Sequence, residues 1–211
     1  MKNILLERPR PNFVRPRKVT GIPVYIKDVI VDDLDARFGK TVIRRHFRMP
    51  DGHTEEILCI TGPEREPCII FPLTTDNEVL LVRQFRFAIN SGKRKGRLIL
   101  EFPGGCRKPG QKWRDCAKEE LMEETGASAK SLEIIGKPIA FNPALECTRF
   151  TMVLARGCTV INGQHLDRSE TIKVVKMTLH DFRSSLVFRT ITDGKTVVTG
   201  YAVLDHLGLL G

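Results

Sequence analysis

Long apolar runs are missing from this 211-residue chain. No stretch approaches the ~20 consecutive apolar residues that a membrane-spanning helix needs, so no membrane partner is expected. The N-terminus also lacks the apolar segment of a secretory signal. Hydrophobic residues still make up 41% of the chain, which is enough to bury one sizeable core. We therefore expect one globular domain, alone or with a small lobe.

The cysteines and histidines show no ligand spacing. None of the six cysteines forms a C-x-x-C pair, and the five histidines are equally dispersed. Zinc sites need clustered Cys and His ligands, so zinc is not predicted. Scattered cysteines without a signal segment are typical of reduced thiols in a reducing compartment. We expect an intracellular protein, with the cytoplasm favoured and a mitochondrial location left open.

Negative charge is in deficit. Thirty-four Lys and Arg against 25 Asp and Glu give a net charge of +9, which attracts polyanions and makes RNA a possible partner. Much of the excess lies in residues 1–20 and 93–97. Three prolines in residues 1–20 favour extended backbone, so a basic, Pro-rich extended arm is predicted there. Such an arm suits clasping a second subunit, binding nucleic acid or mitochondrial import, although the prolines disfavour the amphipathic helix that import needs.

The hydrophobic pattern predicts mixed strands and helices. Strands are expected at 24–31, 41–47, 55–61, 68–73, 78–87, 98–102, 132–141, 150–155 and 172–177. Helices are expected at 113–125, 179–185 and 194–207, the first of them ended by Gly126. The order of these elements predicts an α/β fold.

A cluster of four carboxylates is the most informative feature of the chain. A Gly/Pro-rich loop at 103–110 leads into the predicted helix, which carries Glu119, Glu120, Glu123 and Glu124. Helical spacing places Glu120 and Glu124 one turn apart on one face, where like charges repel. Water on a solvated face or a divalent cation would offset that repulsion. Carboxylates without Cys or His suit a hard cation such as Mg²⁺ or Mn²⁺.

The segment 105–127 resembles the Nudix box, G-x5-E-x7-R-E-U-x-E-E-x-G-U, in which U is aliphatic. Its metal-binding glutamates match Glu120, Glu123 and Glu124. Two positions depart from the pattern: Gln111 replaces a glutamate and Glu119 replaces the arginine. In the family those two residues form an ion pair that braces loop against helix. A hydrogen bond between Gln111 and Glu119 is the expected substitute, because the amide donates and the carboxylate accepts.

Three further segments resemble the ADP-ribose and nucleoside-diphosphate-sugar branch of the Nudix hydrolases: 79–86, 98–105 and 192–196. The resemblance covers roughly residues 20–208 and implies an α/β/α sandwich with a mixed sheet and a small N-terminal β-sheet lobe. It also implies a homodimer. The expected division is an arm at 1–20, a β lobe for dimerisation at 21–65 and a Nudix hydrolase domain at 66–211.

The resemblance also implies the residues of an active site. The expected metal ligands for Mg²⁺ or Mn²⁺ are the carbonyl of Gly104 with Glu120, Glu123 and Glu124. Glu170, in a loop, is the expected base acting on the attacking water, and the three glutamates are counted with it as catalytic. Arg83 and Arg86, expected on one strand face, and Glu101 are the candidate substrate-binding residues. The family's glutamate after an S-P-G turn aligns with Thr148, and Glu146 lies two residues earlier, so the resemblance leaves the choice of substrate open.

The leading hypothesis is a metal-dependent hydrolase that cleaves the diphosphate linkage of ADP-ribose or a related nucleoside diphosphate sugar. A second hypothesis, motivated by Gln111, Glu119, Thr148 and the basic surface, is a Nudix-fold protein of low turnover that binds RNA 5′ ends or nucleotides within a larger complex. A third is a dimeric scaffold that kept only the fold. The three intact glutamates of the box favour the enzyme.

Overall fold

The computed structural model describes residues 21–32, 40–62, 66–90, 98–166 and 171–210. The basic arm predicted at 1–20 and the loop at 93–97 lie outside these residues, so the domain division stays a prediction. The described residues form two sheets and three α-helices, together with a short 3-10 helix at Phe87–Ile89.

A small antiparallel sheet comes first in the chain. It contains β1 (Val24–Asp32), β2 (Thr41–Arg48) and β3 (Thr54–Thr61), in that spatial order. β2 and β3 are joined by a tight turn at 49–53, in which the amide of Gly52 donates to the carbonyl of Met49. The predicted N-terminal β-sheet lobe is confirmed.

The larger sheet is mixed and has nine strands. In chain order these are β4 (Pro67–Thr74), β5 (Glu78–Phe85), β6 (Leu98–Glu101), β7 (Gly104–Cys106), β8 (Ala127–Ser128), β9 (Ser131–Ile134), β10 (Ile139–Ala140), β11 (Arg149–Val160) and β12 (Ile172–Thr178). The central path runs β10-β11-β4-β5-β12, with β6 on β5, β7 on β4, and β8 and β9 on β11. β4 and β11 are parallel, whereas the other pairs are antiparallel.

Helices cover both faces of this sheet, because its central strands are apolar on both sides. The helices are α1 (Trp113–Thr125), α2 (Leu179–Val187) and α3 (Gly194–His206). On one face, Ile70 of β4 packs in a buried cluster with Leu121 of α1. On the other, Phe71 packs with Phe182 of α2 and Leu204 of α3. This is the predicted α/β/α sandwich.

One predicted strand is wrong in its length. The segment 132–141 forms two short strands, β9 and β10, instead of one. Gly136 lies between them with φ of +71°, a conformation that ends regular strand geometry, and Pro138 follows. β11, by contrast, extends well beyond the predicted 150–155, because it pairs along its length with β4, β8, β9 and β10.

The small sheet is joined to the larger unit at one corner. The amide of Ile60 in β3 donates to the carbonyl of Leu145 at 2.8 Å. Next to it, Nζ of Lys40 lies 3.1 Å from a carboxylate oxygen of Glu146. Glu146 is therefore engaged in holding the lobe, and the loop at 142–147 connects the two sheets.

The C-terminus of α1 depends on a glycine. Gly126 adopts a left-handed conformation with φ of +67°, and its amide donates to the carbonyl of Met122. The backbone of Asn162 lies so close that a Cβ on Gly126 would overlap its carbonyl oxygen. Both the conformation and the contact therefore require glycine, and both fix where α1 meets the chain after β11.

Gly126→Ala is expected to lower the free energy of unfolding by more than the about 1–2 kcal/mol that a left-handed alanine costs, because the overlap with Asn162 adds to the strain. Gly110→Ala is the matched control, since Gly110 has φ of +74° and nothing within 4 Å of its Cβ position. Urea unfolding measures both variants. Equal losses would show that the contact with Asn162 costs nothing.

Candidate active site

The candidate site is built where the loop after β6 enters β7 and α1. Glu101 ends β6, Gly104 begins β7, and α1 starts after the Pro109–Gly110 turn. β7 pairs with β4, which places Gly104 opposite Ile69. The α1 helix packs on the same face through Cys116, Ala117 and Leu121. Sheet pairing and helix packing thus bring residues some twenty positions apart into contact.

Two of the four carboxylates turn inward toward this loop. Glu124 is only 5% exposed, and its Oε2 accepts a hydrogen bond of 3.0 Å from the amide of Gly104. The carboxylate of Glu120 lies against Gly105, where a Cβ would overlap it. Because they are one turn apart, the two carboxylates line the same side of α1. A buried carboxylate held by a backbone amide has a fixed position, so its oxygens can act as ordered ligands for a cation.

The other two carboxylates point elsewhere. Glu123 is exposed, and its backbone carbonyl accepts a hydrogen bond from the amide of His165. Glu119 is also exposed and faces the loop. Within the described residues, no three Asp, Glu, His or Cys side chains are gathered as in a metal site. The predicted set of Glu120, Glu123 and Glu124 therefore stays a prediction.

Glu119 is the centre of a polar cluster on the outside of the loop. Its Oε2 accepts 2.8 Å hydrogen bonds from Nε2 of Gln111 and from Nζ of Lys108. The Oε1 of Gln111 in turn accepts from the amide of Lys108. The pKa of Glu119 lies below its ordinary value, first because Lys108 donates to the ionised form and then because Gln111 does. Sequence reasoning anticipated Gln111 but missed Lys108.

Arg86 and Glu101 form an ordered ion pair beside Glu124. Nε and Nη2 of Arg86 donate to the two carboxylate oxygens of Glu101 at 2.9 and 2.7 Å. Glu101 is only 3% exposed, so its charge is compensated by this pair. The pKa of Arg86 is raised, chiefly by Glu101, with smaller contributions from the charges of Glu124 and Asp193. The guanidinium has further N–H groups beyond the two used here.

The expectation that Arg83 and Arg86 share a strand face is wrong. Arg83 is exposed and lies opposite Leu100 and Lys173, on the sheet face of α2 and α3. β5 ends at Phe85, so Arg86 lies beyond the strand and turns to Glu101 on the opposite face. Residues three apart alternate in a strand, which separates the two arginines. Only Arg86 lies with the inward carboxylates.

Comparison with known proteins identifies the family to which this chain belongs. A family model described as the NUDIX domain matches residues 64–195, more than half of the chain. The chain belongs to the Nudix family. It is 31% identical over 172 residues to an ADP-ribose pyrophosphatase of Bacillus subtilis (strain 168), covering 80% of each protein. It is also 26% identical over 151 residues to a methanol dehydrogenase activator of Bacillus methanolicus, covering 71% of this chain and 77% of the relative.

A solved structure supports the same fold. The crystal structure of an ADP compounds hydrolase superposes with a TM-score of 0.75 at 21% identity, covering 92% of this chain and all of the other. The predicted Nudix membership, in the ADP-ribose pyrophosphatase branch, and the predicted hydrolase activity on diphosphate bonds are confirmed. In the described part of the chain, no helix has the length and apolarity to span a membrane.

The carboxylate oxygens of the Nudix box are suitable ligands for a hard divalent cation. Glu124 and Glu120 offer carboxylate oxygens at Gly104 and Gly105, and the approach of Glu120 needs glycine at 105. Carboxylate oxygens are the ligands that Mg²⁺ and Mn²⁺ prefer. A buried amide oxygen on the same sheet face, that of Gln84, has no partner among the described residues. Glu170, the predicted base, lies outside the described residues.

Gln164 is a residue of the Nudix site that sequence reasoning missed. Its Nε2 donates to the backbone carbonyl of Glu124 at 2.6 Å and lies 3.5 Å from that of Ile172. It therefore holds the last turn of α1 against the start of β12. No spacing in the sequence indicates this contact, because forty residues separate Gln164 from Glu124.

The Lys108–Glu119 pair is expected to act as a charge-reversed form of the Nudix loop–helix brace. Lys108→Glu and Glu119→Lys should each lower the thermal midpoint through like-charge contact, and the double variant should recover most of the loss. Its contribution should be present above the ordinary carboxyl pKa of 4.5 and lost as the pH falls below it, since the pKa of Glu119 is lowered by folding. Thermal unfolding of all four proteins, in low and high salt, measures the coupling. Additive losses at low salt would contradict it.

Proposed function

We propose that this chain is a Mg²⁺- or Mn²⁺-dependent Nudix hydrolase that cleaves the diphosphate linkage of ADP-ribose or a related nucleoside diphosphate sugar. The observation that carries the proposal is the inward pair of carboxylates, with Glu124 buried on the amide of Gly104 and Glu120 against Gly105. Identity of 31% to an ADP-ribose pyrophosphatase over most of both chains supports the substrate class.

In the proposed site the carboxylates would bind the cation, and an arginine would bind the diphosphate. Glu120 and Glu124, with the carbonyl of Gly104, would hold the cation, and Glu123 would join directly or through water. When bound, a divalent cation neutralises phosphate oxygens and lowers the pKa of a bound water. Arg86, fixed in orientation by Glu101, would direct its remaining N–H groups to a diphosphate oxygen, which only accepts.

Hydrolysis then requires a base for the attacking water. In the proposed mechanism Glu170 accepts a proton from the attacking water. The oxygen of that water forms a bond to phosphorus, and the anhydride P–O bond breaks. A carboxylate can do this when it lies within hydrogen-bond distance of the water. The outer brace of Lys108, Gln111 and Glu119 joins the loop to α1 and would serve to position that loop.

A substrate screen tests the proposal directly. Products are measured by chromatography for ADP-ribose, sugar nucleotides, dinucleotide cofactors, and capped or triphosphorylated RNA, each with Mg²⁺ and with Mn²⁺. The expected result is AMP and ribose 5-phosphate from ADP-ribose, dependent on added metal. Turnover confined to the RNA substrates, or turnover that persists in a chelator, would contradict it.

Glu124→Gln is expected to lower turnover of ADP-ribose by more than about 100-fold, because loss of a residue one layer further from a metal already costs about 10- to 100-fold. The protein should remain folded, since the amide can still accept from Gly104. Asp115→Asn is the matched control, an exposed carboxylate in the first turn of the same helix. Turnover and Mn²⁺ binding are measured together. Undiminished Mn²⁺ binding in Glu124→Gln would remove Glu124 from the metal site.

An RNA or nucleotide-binding protein of low turnover is the second candidate, and one observation favours it. An open cleft of about 740 Å³ lies on the outside of the box loop, formed by residues 107–115. The charged side chains that line the cleft are mainly cationic, namely Arg107, Lys108, Lys112 and Arg114. Trp113 also lines it. Cationic and aromatic side chains together suit phosphates and bases. Tight binding of the same RNAs in a filter-binding assay, without turnover in the product screen, would favour this candidate.

We also propose that the chain is a homodimer associated through the small N-terminal sheet. Apolar side chains are exposed on both faces of that sheet, including Ile30 at 67% and Leu58 at 54%. Contiguous exposed apolar surface marks interaction sites, and a two-fold dimer is the commonest closed assembly. In the part of the chain that the structure describes, the sheet contacts the larger unit through the loop at 142–147, and these apolar side chains remain exposed.

Sedimentation is expected to give twice the chain mass of 23.9 kDa at micromolar concentration. Ile30→Lys should shift the protein toward the monomer, because a charge would be buried in the interface. Ile161→Lys is the matched control, an isoleucine of similar exposure (56%) outside the small sheet. A wild-type protein that sediments only as a monomer would count decisively against the dimer.

A further inference from the structure

Gln84 carries a buried polar atom that the fold leaves unsatisfied. The residue is only 6% exposed, and its Oε1 has no hydrogen-bond partner among the described residues. Buried polar side-chain atoms are nearly always paired, so such an atom calls for an explanation. Two residues earlier on the same strand face, the buried residue is the apolar Val82.

The position of Gln84 places it beside the inward carboxylates. In the sheet it lies opposite Ile99 on one side and Ile172 on the other. The neighbouring pair on the same face is Val82 and Glu101. Gln164 links the carbonyl of Ile172 to that of Glu124, which holds the end of α1 over this part of the sheet. Gln84 thus lies on the α1 face, next to the strand residue that binds Arg86.

The chemistry of the surroundings defines what the free oxygen can bind. An amide oxygen only accepts hydrogen bonds, and so do the carboxylates of Glu101 and Glu124. The ionised oxygens of a diphosphate also only accept, so the substrate's phosphates are not its partner. The missing partner is a donor small enough for a buried space, and a water molecule satisfies both conditions.

We infer that Gln84 is a positioning residue whose amide oxygen accepts a hydrogen bond from a water molecule in the coordination shell of a cation held by Glu120 and Glu124. A cation polarises the O–H bonds of its water, so the water needs an acceptor, and the unpaired oxygen of Gln84 is a neutral acceptor on the α1 face of the sheet. The inference rests on the proposed metal-dependent function. It adds to the two inward carboxylates of α1 an oxygen from strand β5.

Mn²⁺ titration of the full-length protein without substrate, followed by electron paramagnetic resonance, tests the inference. Gln84→Met keeps the side chain's length and removes the acceptor, so the Kd for Mn²⁺ should rise roughly 10- to 100-fold, the usual effect of losing an outer partner of a metal site. Gln84→Glu restores an acceptor and should bring the Kd back to the wild-type value or below it. Asn162→Leu, which removes an exposed amide, is the control and should leave the Kd unchanged.

Thermal unfolding in the absence of metal separates positioning from a structural role. Removing an unpaired buried oxygen should leave the midpoint of Gln84→Met unchanged or raised. A lowered midpoint with an unchanged Kd for Mn²⁺ would overturn the inference and leave the proposed function intact. If the wild-type protein itself bound no Mn²⁺, the metal-dependent function and this inference would fail together. Loss of affinity in both Gln84→Met and Gln84→Glu would mean that the amide acts as a donor, which also overturns it.

Discussion

The hydrogen bond from the Gly104 amide to Glu124 is the contact on which the site depends. It joins the first residue of β7 to the last turn of α1, and a carboxylate so buried would be costly without a donor. Packing of Leu121 and Ala117 on the sheet brings the helix down, but packing alone does not set its axial position. The directional hydrogen bond to Gly104 and the end of the helix at Gly126 fix that position. They therefore also fix how closely Glu120 approaches Gly105.

Most of the framework could be predicted from local patterns. The helix at 113–125 agrees with the structure to the residue, because a Pro-Gly turn before it and Gly126 after it are strong local signals. The three strands of the small sheet could also be predicted, because each contains β-branched or aromatic residues and a Pro-Asp-Gly turn at 50–52 separates two of them. The prediction of one strand over 132–141 failed because Gly136, with a positive φ, and Pro138 interrupt it.

The interior of the site was less predictable, since it depends on contacts between distant segments. Lys108 and Glu119 are eleven residues apart, and nothing in their spacing shows that the loop folds back on the helix. The separation of Arg83 from Arg86 follows from where β5 ends, which is set by pairing with β6 and β12. Glu101 and Gln84 matter because their polar side chains are buried. Their burial depends on which strands and helices pack around them, and the sequence alone does not show this.

The charges along β12 have a consequence for solubility. β12 ends the strand path and pairs only with β5 among the described residues, so its outer backbone groups resemble an open template for a further strand. Lys173 and Lys176 project from this strand. Lysines on an edge strand oppose the docking of a second copy edge to edge, because their charges would have to be desolvated between the strands.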